Sequence, residues 1–250
     1  MLRSLIKGPA LLLSTAVVAG MAGTAGGFPG FPPSCARADF KSGGVTVPAE
    51  LCRGGRTATR LAVVLPGCGG TSGGFDHRLA TELPRLGIDT LEVDYFARTP
   101  PPTRHGFCGV RRAFDKAFPA WLGTVADAVA HLRAAPAGTH LHIELVGWSL
   151  GGGVAVASAL GSVHVSALAG FSTGSFGTTT ADARKLPPTI LLSGGSTDAI
   201  PLSETLPLYH ALRAAHRPTA LYIFPHGSHQ WPGRQGMLGI DHAATFLRRY

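Results

Sequence analysis

Residues 141–153 read LHIELVGWSLGGG. Leu141–Gly147 reads as a buried strand, and LGGGVAVASAL (Leu150–Leu160) opens a helix. Between them lies Gly147-Trp148-Ser149-Leu150-Gly151, a G-x-S-x-G set at a strand–helix junction. The spacing has a steric reason. The serine occupies a tight, strained turn, and a side chain at either glycine would collide with the neighbouring strand or helix. The turn lifts the hydroxyl above the sheet at a helix N-terminus, where the dipole and free N–H groups favour negative charge. Ser149 is therefore the candidate nucleophile. The bland alternative is a glycine-rich turn without chemistry, and a base and an acid in the right places separate the two.

Outward from the turn, strand-like and helix-like segments alternate. Gly44–Leu51, Arg60–Pro66, Asp89–Phe96, Val163–Gly170, Pro188–Gly194 and Thr219–Pro225 read as strands. Helices are expected over Asp76–Leu86, with Asp76 as N-cap, and over Phe114–Ala135, Ser203–Ala215 and Gly239–Arg249. The pattern predicts an α/β fold, a mainly parallel sheet covered by helices on both faces. No linker divides the chain after about residue 40, so residues 40–250 form one catalytic domain.

A serine hydroxyl is a weak nucleophile without a base and a stabilised oxyanion. Strand Arg60–Pro66 runs into Pro66-Gly67-Cys68-Gly69-Gly70, a turn whose backbone N–H groups can point into a site. The oxyanion hole is assigned to the amides of Cys68 and Leu150. Asp198 is the one carboxylate between Asp182 and Glu204, in the loop after Pro188–Gly194. His229 lies in the loop after the last strand, with His226 as its rival. The order Ser149, Asp198, His229 is that of elbow serine hydrolases, unlike chymotrypsin or subtilisin. Trp148, Phe96 and Trp231 are candidate substrate-contacting aromatics, with Phe75, Phe171 and Phe176 as further possibilities.

Composition bounds the rest. The 250 residues are 45% hydrophobic and only 14% charged, so the chain does not read as disordered. The net charge of +8 comes from scattered arginines, without a basic helix interleaved with aromatics, and nucleic-acid binding is not expected. Arg3 and Lys7 precede the apolar run PALLLSTAVVAGMA (Pro9–Ala22), then small residues. This reads as a signal peptide over residues 1–25, cleaved after Ala25, with Ala36–Ala38 as a second site; an uncleaved anchor is the alternative. Residues 26–39 read as a Gly/Pro-rich linker. The expected location is secreted or cell envelope, without stable membrane insertion after cleavage. The four cysteines, Cys35, Cys52, Cys68 and Cys108, permit two disulfides. Cys68–Cys108 is the favoured pair, because both residues sit in loops leaving neighbouring strands. No CxxC and no Cys/His cluster at zinc spacing occurs, so neither metal nor cofactor is expected.

Together these motifs resemble the α/β-hydrolase superfamily and, within it, the dienelactone hydrolase-like family. The resemblance rests on VVLPGCGG (Val63–Gly70), VDYFAR (Val93–Arg98), GWSLGGG (Gly147–Gly153), GGSTDAIP (Gly194–Pro201) and FPHGSHQW (Phe224–Trp231). Two departures matter. Enzymes acting on dienelactone use a cysteine nucleophile where this chain has Ser149, which favours a general serine esterase. The family's usual His-Gly in the oxyanion turn is Pro66-Gly67 here. SHQWPG (Ser228–Gly233) is similar to the base loop of secreted feruloyl-esterase and polyhydroxybutyrate-depolymerase-like enzymes. The implied function is a secreted serine hydrolase cleaving small-molecule or polymeric carboxylic esters through an acyl-enzyme. Peptidase or acyltransferase chemistry on the same triad and a non-catalytic envelope protein are the alternatives.

Overall fold

The computed structural model describes residues 33–55, 59–71, 74–103, 105–135, 140–161 and 163–250. The expected signal peptide and the first part of the linker lie outside them. Eight strands form one sheet. In chain order they are β1 (Ser34–Arg37), β4 (Ala49–Arg53), β5 (Arg60–Leu65), β6 (Asp89–Val93), β7 (His142–Trp148), β8 (Ala167–Phe171), β9 (Thr189–Ser193) and β10 (Thr219–Ile223). A separate hairpin pairs β2 (Phe40–Ser42) with β3 (Val45–Val47). The spatial order is β1-β4-β6-β5-β7-β8-β9-β10. β1 and β4 pair antiparallel to their neighbours, and β6 through β10 run parallel. This is the mainly parallel, doubly covered sheet expected from the alternating pattern.

Strand side chains alternate between two cores. Leu61, Val63 and Leu65 of β5 face α2 (Arg111–Ala134), α3 (Leu150–Leu160) and α5 (Leu202–Ala214). Ala62 and Val64 face α1 (Phe75–Glu82) and α6 (Gly233–Leu247). Because both faces are covered, the central strands are apolar throughout rather than alternating. A short helix, α4 (Thr180–Ala183), absent from the sequence reading, starts at a capping box between Thr179 and Asp182. Among the described residues no helix is long and apolar enough to cross a membrane.

Several boundaries differ from expectation, each for a local reason. The strand read over Gly44–Leu51 is two strands. They are split at Pro48, which has no N–H to give a ladder and whose carbonyl accepts from Asp94 N–H at 3.0 Å. The helix read over Asp76–Leu86 begins at Phe75, and its N-cap is Gly74, not Asp76. It stops at Glu82, and Pro84 opens a 3₁₀ turn, Pro84–Leu86. The strand read from Val163 starts only at Ala167, because Val163 N–H turns back to the Ser158 carbonyl and closes α3. α6 begins six residues earlier than expected. Gly236 and Gly239 are poor helix formers, but a side chain at either would strike Trp231, so packing overrides propensity. Within the expected linker, Ser34–Arg37 forms β1, and a disulfide joins its cross-strand pair Cys35 and Cys52.

Candidate active site

Ser149 follows β7 and caps α3 with φ +56° and ψ −120°. A non-glycine residue there is strained and persists only where its surroundings hold it. The clamp is visible at two glycines. A Cβ on Gly147 would lie 2.3 Å from the Gly151 carbonyl oxygen, and one on Gly151 would lie 2.1 Å from that of Leu65. Ser149 N–H donates to the Phe171 carbonyl at 2.9 Å, tying the turn to β8. The steric reading of the G-x-S-x-G spacing is realised in these contacts.

The loops after β9 and β10 bring the two expected partners to the serine. His229 Nε2 lies 3.1 Å from Ser149 Oγ, and its Nδ1 lies 2.6 Å from Asp198 Oδ1. His226 is exposed on the same turn. The loops are pinned together by a Thr197–Ser228 bridge and by the Thr197 hydroxyl donating to the Gly227 carbonyl. The Asp198 side chain is shielded from solvent. Burial alone would raise its pKa, but hydrogen bonds from His229, Ser172 and the N–H groups of Ile200 and Gly194 outweigh it. The carboxyl sits below its ordinary value and is held ionised beside the imidazole.

Ser172 is a partner the sequence reading missed. Its hydroxyl donates to Asp198 Oδ2 and accepts from Trp231 Nε1 at 2.8 Å. It sits just past β8 at φ +48°, fully buried. No motif marks it, because its role depends on β8 lying beside β9 in space. Ser172→Ala is expected to lower kcat about tenfold with KM nearly unchanged, since a hydrogen bond to a charged group is worth roughly 1.5 kcal/mol. Steady-state kinetics on a soluble aryl ester checks this, and an equal rise in KM would count against a positioning role.

The turn after β5 lies against the serine: a Cβ on Gly67 would lie 3.5 Å from that of Ser149. Among the described residues the N–H groups of Cys68 and Leu150 have no acceptor. Three ties brace the turn. The Tyr95 hydroxyl donates to the Pro66 carbonyl at 2.9 Å, Phe107 N–H donates to the Cys68 carbonyl at 2.8 Å, and Cys68 is bonded to Cys108. Paired in this way, Cys68 has no thiol to act as a nucleophile. The bridge spans 40 residues, a loop for which chain-entropy models give about 4 kcal/mol. Mild reduction is therefore expected to slow catalysis before it unfolds the protein, which paired activity and circular-dichroism time courses can follow.

The proposed aromatic wall needs correction. Phe96 is buried among Tyr95, Phe107 and Trp121, against the Pro66–Gly70 turn. Trp231 is fully buried between Phe75, Phe171 and Phe224. Neither presents its ring to a substrate, because each is spent on core packing. Trp148 is partly exposed; its Nε1 donates to the His229 carbonyl at 2.9 Å, and its ring lies 5.4 Å from the imidazole. Phe176, a further aromatic named from the sequence, is 51% exposed with its ring over Gly153 in the first turn of α3.

Comparison with known proteins bears on the family and the fold. The model of the dienelactone hydrolase family matches residues 105–247, more than half of the chain. A dienelactone hydrolase from Anabaena variabilis superposes with a TM-score of 0.70 at 18% identity, over 88% of this chain and 99% of that one. A dienelactone hydrolase-like promiscuous phosphotriesterase from metagenomic libraries gives a TM-score of 0.72 at 13% identity, over 88% and 99%. Carboxyl esterase 2 from the mycorrhizal fungus Tuber melanosporum gives 0.68 at 13%, over 88% and 87%. At such identities these likenesses speak for the fold alone. No curated protein matches the chain. The α/β-hydrolase sheet and the family match over residues 105–247 lead to one conclusion: the chain belongs to the dienelactone hydrolase family.

Proposed function

We propose that this protein is a secreted serine hydrolase of carboxylic esters. The observation that carries the reading is the unbroken relay Ser149 Oγ to His229 Nε2 at 3.1 Å and His229 Nδ1 to Asp198 Oδ1 at 2.6 Å. Family membership supports ester hydrolysis in general terms. In the proposed reaction Ser149 Oγ attacks the ester carbonyl carbon while its proton passes to His229 Nε2. Asp198 keeps the Nδ1–H tautomer and stabilises the imidazolium. The amides of Leu150 and Cys68 hold the oxyanion. His229 returns the proton to the leaving alkoxide, and water repeats the sequence to release the acid. With Ser149 at the nucleophile position, simple carboxylic esters, small or polymeric, are favoured over dienelactone. A screen of nitrophenyl esters of graded acyl length tests this, and turnover of none of them would overturn it.

Export is part of the same proposal. Its support is the basic residues Arg3 and Lys7 ahead of the apolar run, together with four cysteines joined as two disulfides, the chemistry of an oxidising compartment. Cleavage after Ala25 keeps Cys35, whereas cleavage after Ala38 would remove the partner of Cys52. N-terminal sequencing of the protein from the medium or envelope of its host is expected to start near residue 26. Recovery of Met1 on a soluble intracellular form would refute it.

A further inference from the structure

Towards the β1 edge of the sheet lies a concentration of acid that the ester chemistry does not use. Glu50 of β4 and Glu92 of β6 are directly opposed cross-strand partners, an arrangement in which like charges repel. α1 lies over them and adds His77, whose Nδ1 is 3.4 Å from Glu92 Oε2. One ligand atom each from Glu50, His77 and Glu92 lies within 4.8 Å of the other two. These three residues line a cavity of about 690 Å³.

The second observation is a set of buried oxygens without donors. Glu92 is 5% exposed, and its Oε1 has no hydrogen-bond partner among the described residues. Asp76, beside His77 and 1% exposed, has none for either carboxylate oxygen. Leaving such groups unpaired in a folded interior is expensive; the Asp76 and Glu92 carboxyls interact with each other, so a proton shared between them or a bound cation resolves it. Among the described residues, the one arginine or lysine lining the cavity, Arg37, is engaged with Asp39 at 2.6 Å.

We propose that Glu50, His77 and Glu92 bind a divalent cation of the zinc–manganese class, with the cavity side open to water. The donor set of one imidazole and two carboxylates selects that class over calcium, which prefers oxygen alone. Two ligands about 2.1 Å from a tetrahedral zinc lie about 3.4 Å apart, which is the His77–Glu92 separation. Glu50 closes onto the ion by a rotamer change of a half-buried side chain. Linear spacing concealed the site because its ligands come from β4, α1 and β6. The ion would pin α1 to the sheet edge. The helix's first residue, Phe75, packs on Trp148 and Trp231, so the site borders the scaffold of the catalytic loop without joining it.

The test uses the processed full chain, stripped with chelator and titrated calorimetrically with zinc chloride, then with manganese and calcium chlorides. One zinc per chain is expected to bind at this site, more tightly than calcium, with a rise in the unfolding midpoint. His77→Ala and Glu92→Gln should each weaken binding at least tenfold, given that even outer-shell partners are worth ten- to a hundredfold. His77 is about half exposed, so His77→Ala should fold, as its metal-free unfolding midpoint will show, even if Glu92→Gln does not. Zinc bound equally well by His77→Ala would assign the heat to other surface histidines, and no heat up to millimolar zinc would leave the carboxylates to share a proton. Either result overturns the site.

Discussion

Ser149→Ala is expected to abolish ester hydrolysis while leaving the fold intact. Loss of the nucleophile in a well-studied serine protease costs about 10⁶ in kcat, and a comparable loss is expected here. Alanine removes only the Oγ that faces His229 Nε2, and the clamp by Gly147 and Gly151 acts on the backbone, so the turn should survive. The measurement is turnover of an activated ester beside the unfolding midpoint. A folded variant retaining more than a few per cent of activity would falsify the assignment of Ser149.

Asp198→Asn should have the next largest effect, a fall in kcat of about 10⁴, because an amide cannot enforce the Nδ1–H tautomer of His229. The same variant exposes a pH dependence of stability. Asp198 titrates below its ordinary value in the folded protein, so the folded state binds fewer protons there than the unfolded chain. Its contribution is complete above the unfolded value near 3.9 and is lost as pH falls through the lower folded value. The stability gap between wild type and Asp198→Asn should therefore be widest near neutrality and narrow below about pH 4. Thermal melts at a series of pH values check the sign, and a gap that widens in acid would contradict it.

The sheet, its helical layers and the three catalytic candidates were legible because each depends on local pattern. Buried strands announce themselves as apolar runs, and the elbow's glycines are dictated by clashes within a few residues. Asp198 and His229 were found by their place after successive strands. The errors fall where three-dimensional packing decides. Phe96 and Trp231 look like pocket aromatics in one dimension, yet the cores behind the site claim both. Ser172 carries no signature, because only the adjacency of β8 and β9 sets its hydroxyl against Asp198. Glu50, His77 and Glu92 are scattered over more than forty residues and converge through one cross-strand register and one helix. Proline and glycine misled in opposite senses. Pro48 broke a strand that periodicity had joined, and Gly236 and Gly239 hid the start of a helix that packing sustains.

The covalent tie at β1 bears on how the molecule keeps to itself. All four residues of β1 are exposed, so its place rests on one antiparallel ladder and the Cys35–Cys52 bond rather than on burial. What it covers is the flank of β4, whose unpaired N–H and C=O groups would otherwise invite a foreign strand. The strand is in effect a riveted cap on a sticky seam. Cutting the rivet leaves a four-residue ladder to compete with any other chain that offers a strand in register. A Cys35→Ser/Cys52→Ser protein is thus expected to keep its monomer fold and yet to self-associate as concentration rises, and light scattering against concentration would see the difference.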